Sequence, residues 1–452
     1  MKMTTASQQI LTSIAILGMG RSGQAVLDKA LSLGLAVVCY DDKAAEGVPE
    51  TLFKAPEDWP WKDLNAMVIS PGIAHLYPAP HPAAALAEQH GVEVISEVEF
   101  ALRKIPQGRW IAITGTNGKS TTTALTGHIL RQAGLNAVIG GNIGDPVTGL
   151  PVQDEDSIAV IELSSYQLET TPSLRADIRV ILNITPDHLD RHGGWDGYVR
   201  AKQAILASAR SDELAILGPG DVLDELAAQH HNPARLLRLD EGVLAEEDRQ
   251  RAQADNPALQ GTHNQQNCAA ARLICRAVGL NDEQINDGIA SFTGLPHRLQ
   301  PAGRFKHIQF INDSKATNAE AAAKALASFT HIHWCAGGLA KADGLSACLP
   351  HLRHVQHGYF YGECAPQFEQ AVAGTITTSQ HQTLEQAVTA AVLSAGQTPA
   401  DEQVILLSPA AASFDQFTSF EARGEAFCKI AEQTIAHLNA SDKADERAAG
   451  HV

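Results

Sequence analysis

Short apolar runs alternate with stretches of helical period along most of the chain. This pattern predicts parallel β-sheets covered by helices on both faces, an α/β architecture. Three successive sets separate. The first predicts a strand over 13–17, a turn through Gly18-Met19-Gly20-Arg21-Ser22-Gly23 and a helix to Leu33. Strands over 36–40, ending at Asp41, and 66–70 follow, and the set closes near Arg103. The second opens with a strand from Trp110 to Ile113 and adds strands over 158–161 and 178–184 and a helix over 197–209. The third begins near Pro301, with strands over 307–311, 332–336, 356–361 and 403–407. Residues 440–452 are small, charged and aperiodic, which predicts a frayed tail.

Composition narrows this picture. A chain of 452 residues suits three domains, each with its own core. With 34 basic and 51 acidic residues the net charge is −17, which excludes sequence-independent attraction to nucleic acid or to an anionic membrane surface. An anionic substrate must then be met by local basic groups. The seven cysteines are scattered and form no C-x-x-C pair, so they read as reduced thiols with no disulfide framework or zinc site. The N-terminus lacks a signal pattern, and no apolar run approaches the roughly 20 residues that span a bilayer. The expectation is a cytoplasmic protein without membrane insertion.

The sharpest chemical signal is Thr114-Gly115-Thr116-Asn117-Gly118-Lys119-Ser120, set between a strand and a helix that places Leu125 and Ile129 on one face. Backbone N–H groups and the helix N-terminus there can surround phosphates. Lys119 can reach their oxygens, and the Ser120 hydroxyl can face magnesium. The spacing departs from the common P-loop at Ile113, where a glycine is usual. Two more strand ends carry suitable groups, since Glu162 closes the run 158–162 and His188 follows Asn183-Ile184-Thr185-Pro186-Asp187. Taken singly, Glu162 also fits a solvated charge and His188 a surface or capping histidine.

Lys202 lies on the inward stripe of its helix with Tyr198, Ile205 and Leu206. It either snorkels outward or is buried as a neutral amine that can take up carbon dioxide as a carbamate. The first glycine loop with Asp41 fits a dinucleotide fingerprint, and a UDP-sugar supplies the same diphosphate and ribose as NAD. The third set offers Asn312 to Asn318, Lys341 and Ser408 to Phe414 at strand ends, hydroxyls and ammoniums suited to a small anion. Helix caps at Thr317 or Ser413 remain open there. His331, His333, His351, His354 and His357 read as structural or surface histidines.

In combination these motifs resemble the Mur ligases, and among them the D-glutamate-adding type. Glu162-Leu163-Ser164-Ser165-Tyr166-Gln167-Leu168, Gly261-Thr262-His263-Asn264, Pro296-His297-Arg298 and the stretch Ser408 to Phe417 carry the resemblance, which covers nearly all of 13–435. It implies three domains: a Rossmann-like UDP-substrate domain (1–103), a central P-loop ATPase-like doubly wound domain (104–299) and a Rossmann-like domain for the incoming amino acid (300–452). The implied enzyme is a monomer of peptidoglycan precursor synthesis. It uses ATP and two magnesium ions to add D-glutamate to UDP-N-acetylmuramoyl-L-alanine.

Carried over by resemblance, Gly115, Thr116, Asn117, Gly118, Lys119, Ser120 and Thr121 serve the phosphates, with Asn264, Asn267, Arg298 and Asp313 at the nucleotide. Ser120, Glu162, His188 and Lys202, the last as a carbamate, serve the metals, and Lys119, His188 and Lys202 are the catalytic set. Gly20, Arg21, Ser22, Asp41, Lys43, Ser70, Pro71, Gly72 and Asn142 match positions around the UDP-substrate. Thr317, Lys341, Ser413, Phe414 and Phe420 match the D-glutamate pocket. Two rivals stand beside this reading. A folylpolyglutamate-type ligase would lack the fingerprint Gly18 to Gly23, and a non-catalytic nucleotide-binding regulator would leave Glu162, His188 and Lys202 without a role.

Overall fold

The structure is a computed structural model that describes residues 11–43, 47–105, 108–151, 154, 156–229, 234–239, 256–259, 262–340, 344–397 and 402–449. The chain divides into two compact units, Met1–Phe292 and Thr293–Val452. The first unit holds two parallel sheets. Strands β1 (Ser13–Leu17), β2 (Ala36–Tyr40), β3 (Ala66–Ile69) and β4 (Glu93–Ser96) form one, in the order β2-β1-β3-β4. Strands β5 (Arg109–Thr114), β6 (Ala137–Gly141), β7 (Ile158–Glu162), β8 (Ile178–Ile181), β9 (Leu214–Leu217) and β10 (Arg235–Arg238) form the other, in the order β10-β9-β8-β5-β7-β6.

The second unit carries β11 (Gln300–Phe305), β12 (Ile308–Asn312), β13 (Ile332–Gly337), β14 (Val355–Tyr361), β15 (Thr377–His381) and β16 (Gln403–Leu407), in the order β11-β12-β16-β13-β14-β15. Only β11 runs antiparallel. The fold is thus Rossmann-like, P-loop-like and Rossmann-like along the chain. Strand order reverses direction at β1/β3 and beside β5, so crevices open at the carboxyl ends of these strands, where ligands of open α/β sheets sit.

Burial explains why the apolar runs became inner strands. Ile111, Ala112, Ile113, Val160, Ile161, Val180 and Ile181 are all nearly inaccessible, as expected for strands covered on both faces. Leu125 and Ile129, one turn apart on the helix Lys119–Gln132, seal one face, each contributing roughly 1.5–3 kcal/mol by leaving water.

Several boundaries differ from the sequence expectation. The strand expected over 178–184 stops at Ile181, because Asn183 turns aside to bind the phosphate loop through Asn117. The helix expected over 197–209 spans Trp195–Gln203 and tightens into a 3-10 turn, Ala204–Leu206. Arg179 causes this: its buried guanidinium donates to the Ile205 carbonyl at 2.6 Å, an oxygen that a continuing α-helix would use. The tail expected over 440–452 is instead largely helical, in Phe420–Ala449, since its Ala, Glu and Lys residues are strong helix formers and need no apolar stripe.

In the second unit, His333 is buried against the Tyr359 hydroxyl (3.1 Å) and the Gln403 side chain (3.1 Å), while His357 and His381 share the Ser379 hydroxyl at 3.0 and 2.9 Å. Burial holds all three histidines below their ordinary value of 6.5, and His357 is lowered further by His381. The unfolded chain therefore takes up protons at higher pH than the folded one. Stability is full above about 6.5 and drains away as pH falls through that value. Buried Asp313, whose carboxyl is raised to about 7, acts in the opposite sense, so urea unfolding of Asp313→Asn, followed at pH 7.5 and again at 5.5, should show a lower midpoint in acid, and unchanged midpoints would contradict this.

Candidate active site

The first unit builds its centre at the ends of β5, β7 and β8. Gly118 caps the helix Lys119–Gln132 with φ +85°, and a Cβ there would sit 2.3 Å from the Asn267 amide oxygen, so the loop needs glycine on both counts. The loop is braced from outside. Thr116 donates its N–H to the Asn183 carbonyl (2.9 Å) and its hydroxyl meets Tyr198 Oη (2.8 Å), while Asn117 N–H donates to the Asn183 side chain (2.8 Å). Lys119 Nζ lies over the same loop, donating to the Gly115 and Thr116 carbonyls at 2.9 and 2.8 Å. Ser120 and Thr121 follow in the first helical turn, with Ser120 buried. Asn267 reaches the helix from the side, accepting from Thr122 Oγ1 (3.2 Å) and donating to Asn264 (2.9 Å).

Glu162 ends β7 at 1% exposure. One carboxylate oxygen accepts from Asn142 Nδ2 at 2.8 Å; the other is buried with no protein partner. An orphaned carboxylate oxygen is costly to bury unless a cation or donor completes it. Lys202 is 2% exposed, with Nζ 3.4 Å from Thr114 Oγ1 and 5.0 Å from the Tyr198 ring centre. The snorkelling alternative is thereby excluded. Burial, and then repulsion by Lys119, bring its pKa down to about 7 against the opposing pull of Asp187 and Glu162.

His188 sits at φ +50° ahead of the short 3-10 segment Leu189–His192, with Nε2 3.5 Å from Asp187 Oδ2. Its side chain is about half exposed, and burial still lowers its pKa. Among the described residues no group of three or more His, Cys, Asp or Glu is gathered as a metal cage. The donors present are instead an orphaned carboxylate, a hydroxyl and an imidazole.

At the β1/β3 crevice, Asp41 accepts from the backbone N–H of Met19 (2.7 Å) and of Lys43 (2.9 Å), so it braces the glycine loop containing Gly20 and Ser22. Ser70 Oγ donates to the Gly18 carbonyl at 2.9 Å, and Pro71 and Gly72 continue that turn. Arg21 is directed toward the loop after β6, donating to the Gly144 carbonyl at 2.5 Å with Asp145 at 3.8 Å.

In the second unit, the loops after β12, β13 and β16 meet at adjacent strand ends. Asp313 is buried, accepting from Ser408 Oγ (2.8 Å) and Leu299 N (3.2 Å), and burial raises its pKa to about 7. Arg298 lies beside it and partly opposes that shift. Thr317 does not cap the helix Ala319–Ser328, which Asn318 caps by accepting from Ala321 N at 2.8 Å, and the helix after Ser413 starts only at Phe420. Ser413 is buried and Phe414 is 70% exposed. Lys315 Nζ lies 3.9 Å from the Phe420 ring centre. Lys341 lies outside the described residues.

Sequence reasoning missed Arg423. Fully buried, it donates to Ser314 Oγ (2.9 Å), to the Ser314 carbonyl (2.9 Å), and to the carbonyls of Gly337 (3.2 Å) and Ala411 (3.1 Å), tying all three loops together. The available signal was its place on the inward stripe with Phe427 and Ala431.

Comparison with known proteins gives the family. Residues 113–275 match the Mur ligase middle domain. A UDP-N-acetylmuramoylalanine–D-glutamate ligase of Rhodospirillum rubrum is 39% identical over 95% of this chain and 96% of its own. One from Rhizobium meliloti is 40% identical over 92% and 95%. The solved UDP-N-acetylmuramate-alanine ligase of Thermotoga maritima shares the fold at a TM-score of 0.59 and 16% identity, covering 93% of this chain and 99% of that one. The chain belongs to the Mur ligase family, among its UDP-N-acetylmuramoylalanine–D-glutamate ligases.

Proposed function

We propose that the protein joins D-glutamate to UDP-N-acetylmuramoyl-L-alanine at the expense of ATP, through an acyl phosphate. The observation that carries this is the gathering of Lys119, Ser120, Glu162 and Lys202 at neighbouring strand ends, in a chain alike over nearly its whole length to relatives of that name. A free carboxylate is a poor acceptor for an amine because oxide would have to leave. Once the terminal phosphoryl of ATP is on that carboxylate, phosphate leaves instead, and the D-glutamate amine forms the amide.

In this reading the phosphate loop holds the nucleotide, and Lys119 exchanges its two loop carbonyls for phosphate oxygens. Asn264 and Asn267 support the loop from behind. Glu162, Ser120 and His188, with Lys202 as a carbamate, fit two magnesium ions, since the orphaned Glu162 oxygen asks for a cation and magnesium completes its shell with water and phosphate. Bound magnesium would neutralise charge on the transferring phosphoryl. Asn142 fixes the Glu162 carboxylate by its hydrogen bond. Thr317, Ser413, Phe414 and Phe420 form the D-glutamate pocket, held in shape by Arg423, and Lys341, outside the described residues, is assigned to D-glutamate by resemblance alone.

Phosphate release tests the reading: it should require magnesium and the UDP-substrate together and rise with D-glutamate. Release that is indifferent to the UDP-substrate would refute it. The first glycine loop should take uridine diphosphate and not NAD. Because Asp41 braces that loop by accepting from the Met19 N–H, Asp41→Ala should raise KM for the UDP-substrate about tenfold, the order of one lost charge-assisted bond. KM for ATP should stay within about twofold. Saturable NAD binding that disappears in Asp41→Ala would reverse the assignment.

A further inference from the structure

The motif after β8 contains a residue that the reading above leaves without a task. Arg191 lies in the segment Leu189–His192, three positions beyond His188. Its guanidinium does not turn toward the phosphate loop. It reaches the loop that follows β3, donating to the Ile73 carbonyl at 3.0 Å, with the carbonyls of Tyr77 and Pro71 at 3.4 and 3.5 Å. The Tyr166 ring backs it, 4.8 Å from the guanidinium carbon, so a fork of donors is held between an aromatic face and a curved run of backbone.

A second contact closes the same seam. Gly193 has φ +66°, and a Cβ on it would stand 2.8 Å from the Tyr77 ring, so the loop after β3 lies directly over this glycine. From Ile73 the connection continues inward. Ile73 N–H donates to the Ser70 carbonyl (3.0 Å), and Ser70 Oγ donates to the Gly18 carbonyl (2.9 Å) in the first glycine loop. The far side is equally fixed. His192, 2% exposed, has Nδ1 2.8 Å from Glu169 Oε1 and Nε2 2.9 Å from Ser165 Oγ, which anchors the segment to the short helix Ser165–Glu169 that follows Glu162. Three hydrogen bonds thus link Arg191 to the glycine loop, and two residues stand between it and His188.

We infer that Arg191 is a positioning residue for the UDP-substrate: it clamps the Pro71–Tyr77 loop to the segment that carries His188 and so sets the separation between the diphosphate cradle and the phosphate loop. That separation matters because the acceptor carboxylate and the phosphoryl donor are held by different sheets, and their approach has to be fixed for transfer to proceed. The inference rests on the reading of Ser70, Pro71 and Gly72 as part of the UDP-substrate cradle. Arginine suits the task where lysine does not, because three carbonyls spread round an arc need a planar fork, and a single ammonium satisfies only part of the set.

The test compares Arg191→Met and Arg191→Lys with the parent and with Asp41→Ala in steady-state kinetics, each substrate varied in turn, alongside thermal unfolding. Arg191→Met should raise KM for the UDP-substrate about tenfold or more while KM for ATP moves less than about twofold, and Arg191→Lys should fall between. Equal rises in both KM values would show a merely structural role and overturn the assignment, as would a UDP-substrate KM within twofold of the parent. If Arg191→Met does not fold, Arg191→Lys decides by the same criterion. A response in Asp41→Ala without one in the Arg191 variants removes the clamp alone; no response in any of them removes the reading of the cradle as well.

Discussion

Replacing Lys202 by arginine should remove nearly all activity from a protein that still folds. The side chain is buried beside Lys119, and its pKa of about 7 leaves much of the amine neutral near neutral pH. A neutral amine adds to carbon dioxide, forming an N–C bond and releasing a proton to solvent, and a neutral group becomes an anion next to Glu162. Arginine cannot lose its proton, cannot form the carbamate and brings a wider group with more donors to satisfy. The expected loss in kcat is about 100-fold or more, the order found when one preorganised charged group is removed from a site where charge develops. Lys202→Ala should lose as much, with partial recovery on adding a short carboxylic acid. Stripping carbon dioxide from the buffer should lower the parent's activity and bicarbonate should restore it. Near-parent turnover in Lys202→Arg would show that the ammonium form suffices.

Glu162→Gln should separate stability from activity. The carboxylate is 1% exposed, with one oxygen on Asn142 and the other unpartnered. The amide keeps the shape and can keep the Asn142 contact, while relieving the cost of a buried charge, so the unfolding midpoint should hold or rise. Activity should nevertheless fall by about 100-fold at modest magnesium, because a hard cation loses an anionic oxygen ligand. Excess magnesium should recover part of it. A variant with ordinary magnesium dependence and ordinary turnover would place the metal elsewhere.

What the sequence made legible followed from periodicity and from strand ends. Tyr198, Lys202, Ile205 and Leu206 were expected on one inward face, and all four are buried. Ser120 and Glu162 were each expected at a strand end, and β5 and β7 pair directly. The residues that escaped were charged groups folded inward onto backbone carbonyls: Arg179 on Ile205, Arg191 on Ile73 and Arg423 on Gly337 and Ala411. A pattern argument assigns such residues to solvent, because their partners are carbonyl oxygens that every residue possesses. Strand β11 escaped for a different reason. Its Gln-Pro-Ala-Gly-Arg-Phe reads as a turn, yet an edge strand with a bulge between Pro301 and Gly303 tolerates both breakers. At the opposite edge, β15 is a polar Thr-Thr-Ser-Gln-His run with only one sheet neighbour, so it carries no apolar signal.

The most direct test of the account is the product itself. Purified protein should be incubated with ATP, magnesium, UDP-N-acetylmuramoyl-L-alanine and either D-glutamate or L-glutamate, and the UDP-linked species weighed by mass spectrometry. The account predicts a species heavier by one glutamyl residue with D-glutamate, matched by an equal amount of ADP, and little or none with L-glutamate. Equal product from L-glutamate or diaminopimelate, or ADP formed with no new UDP-linked species, would contradict it.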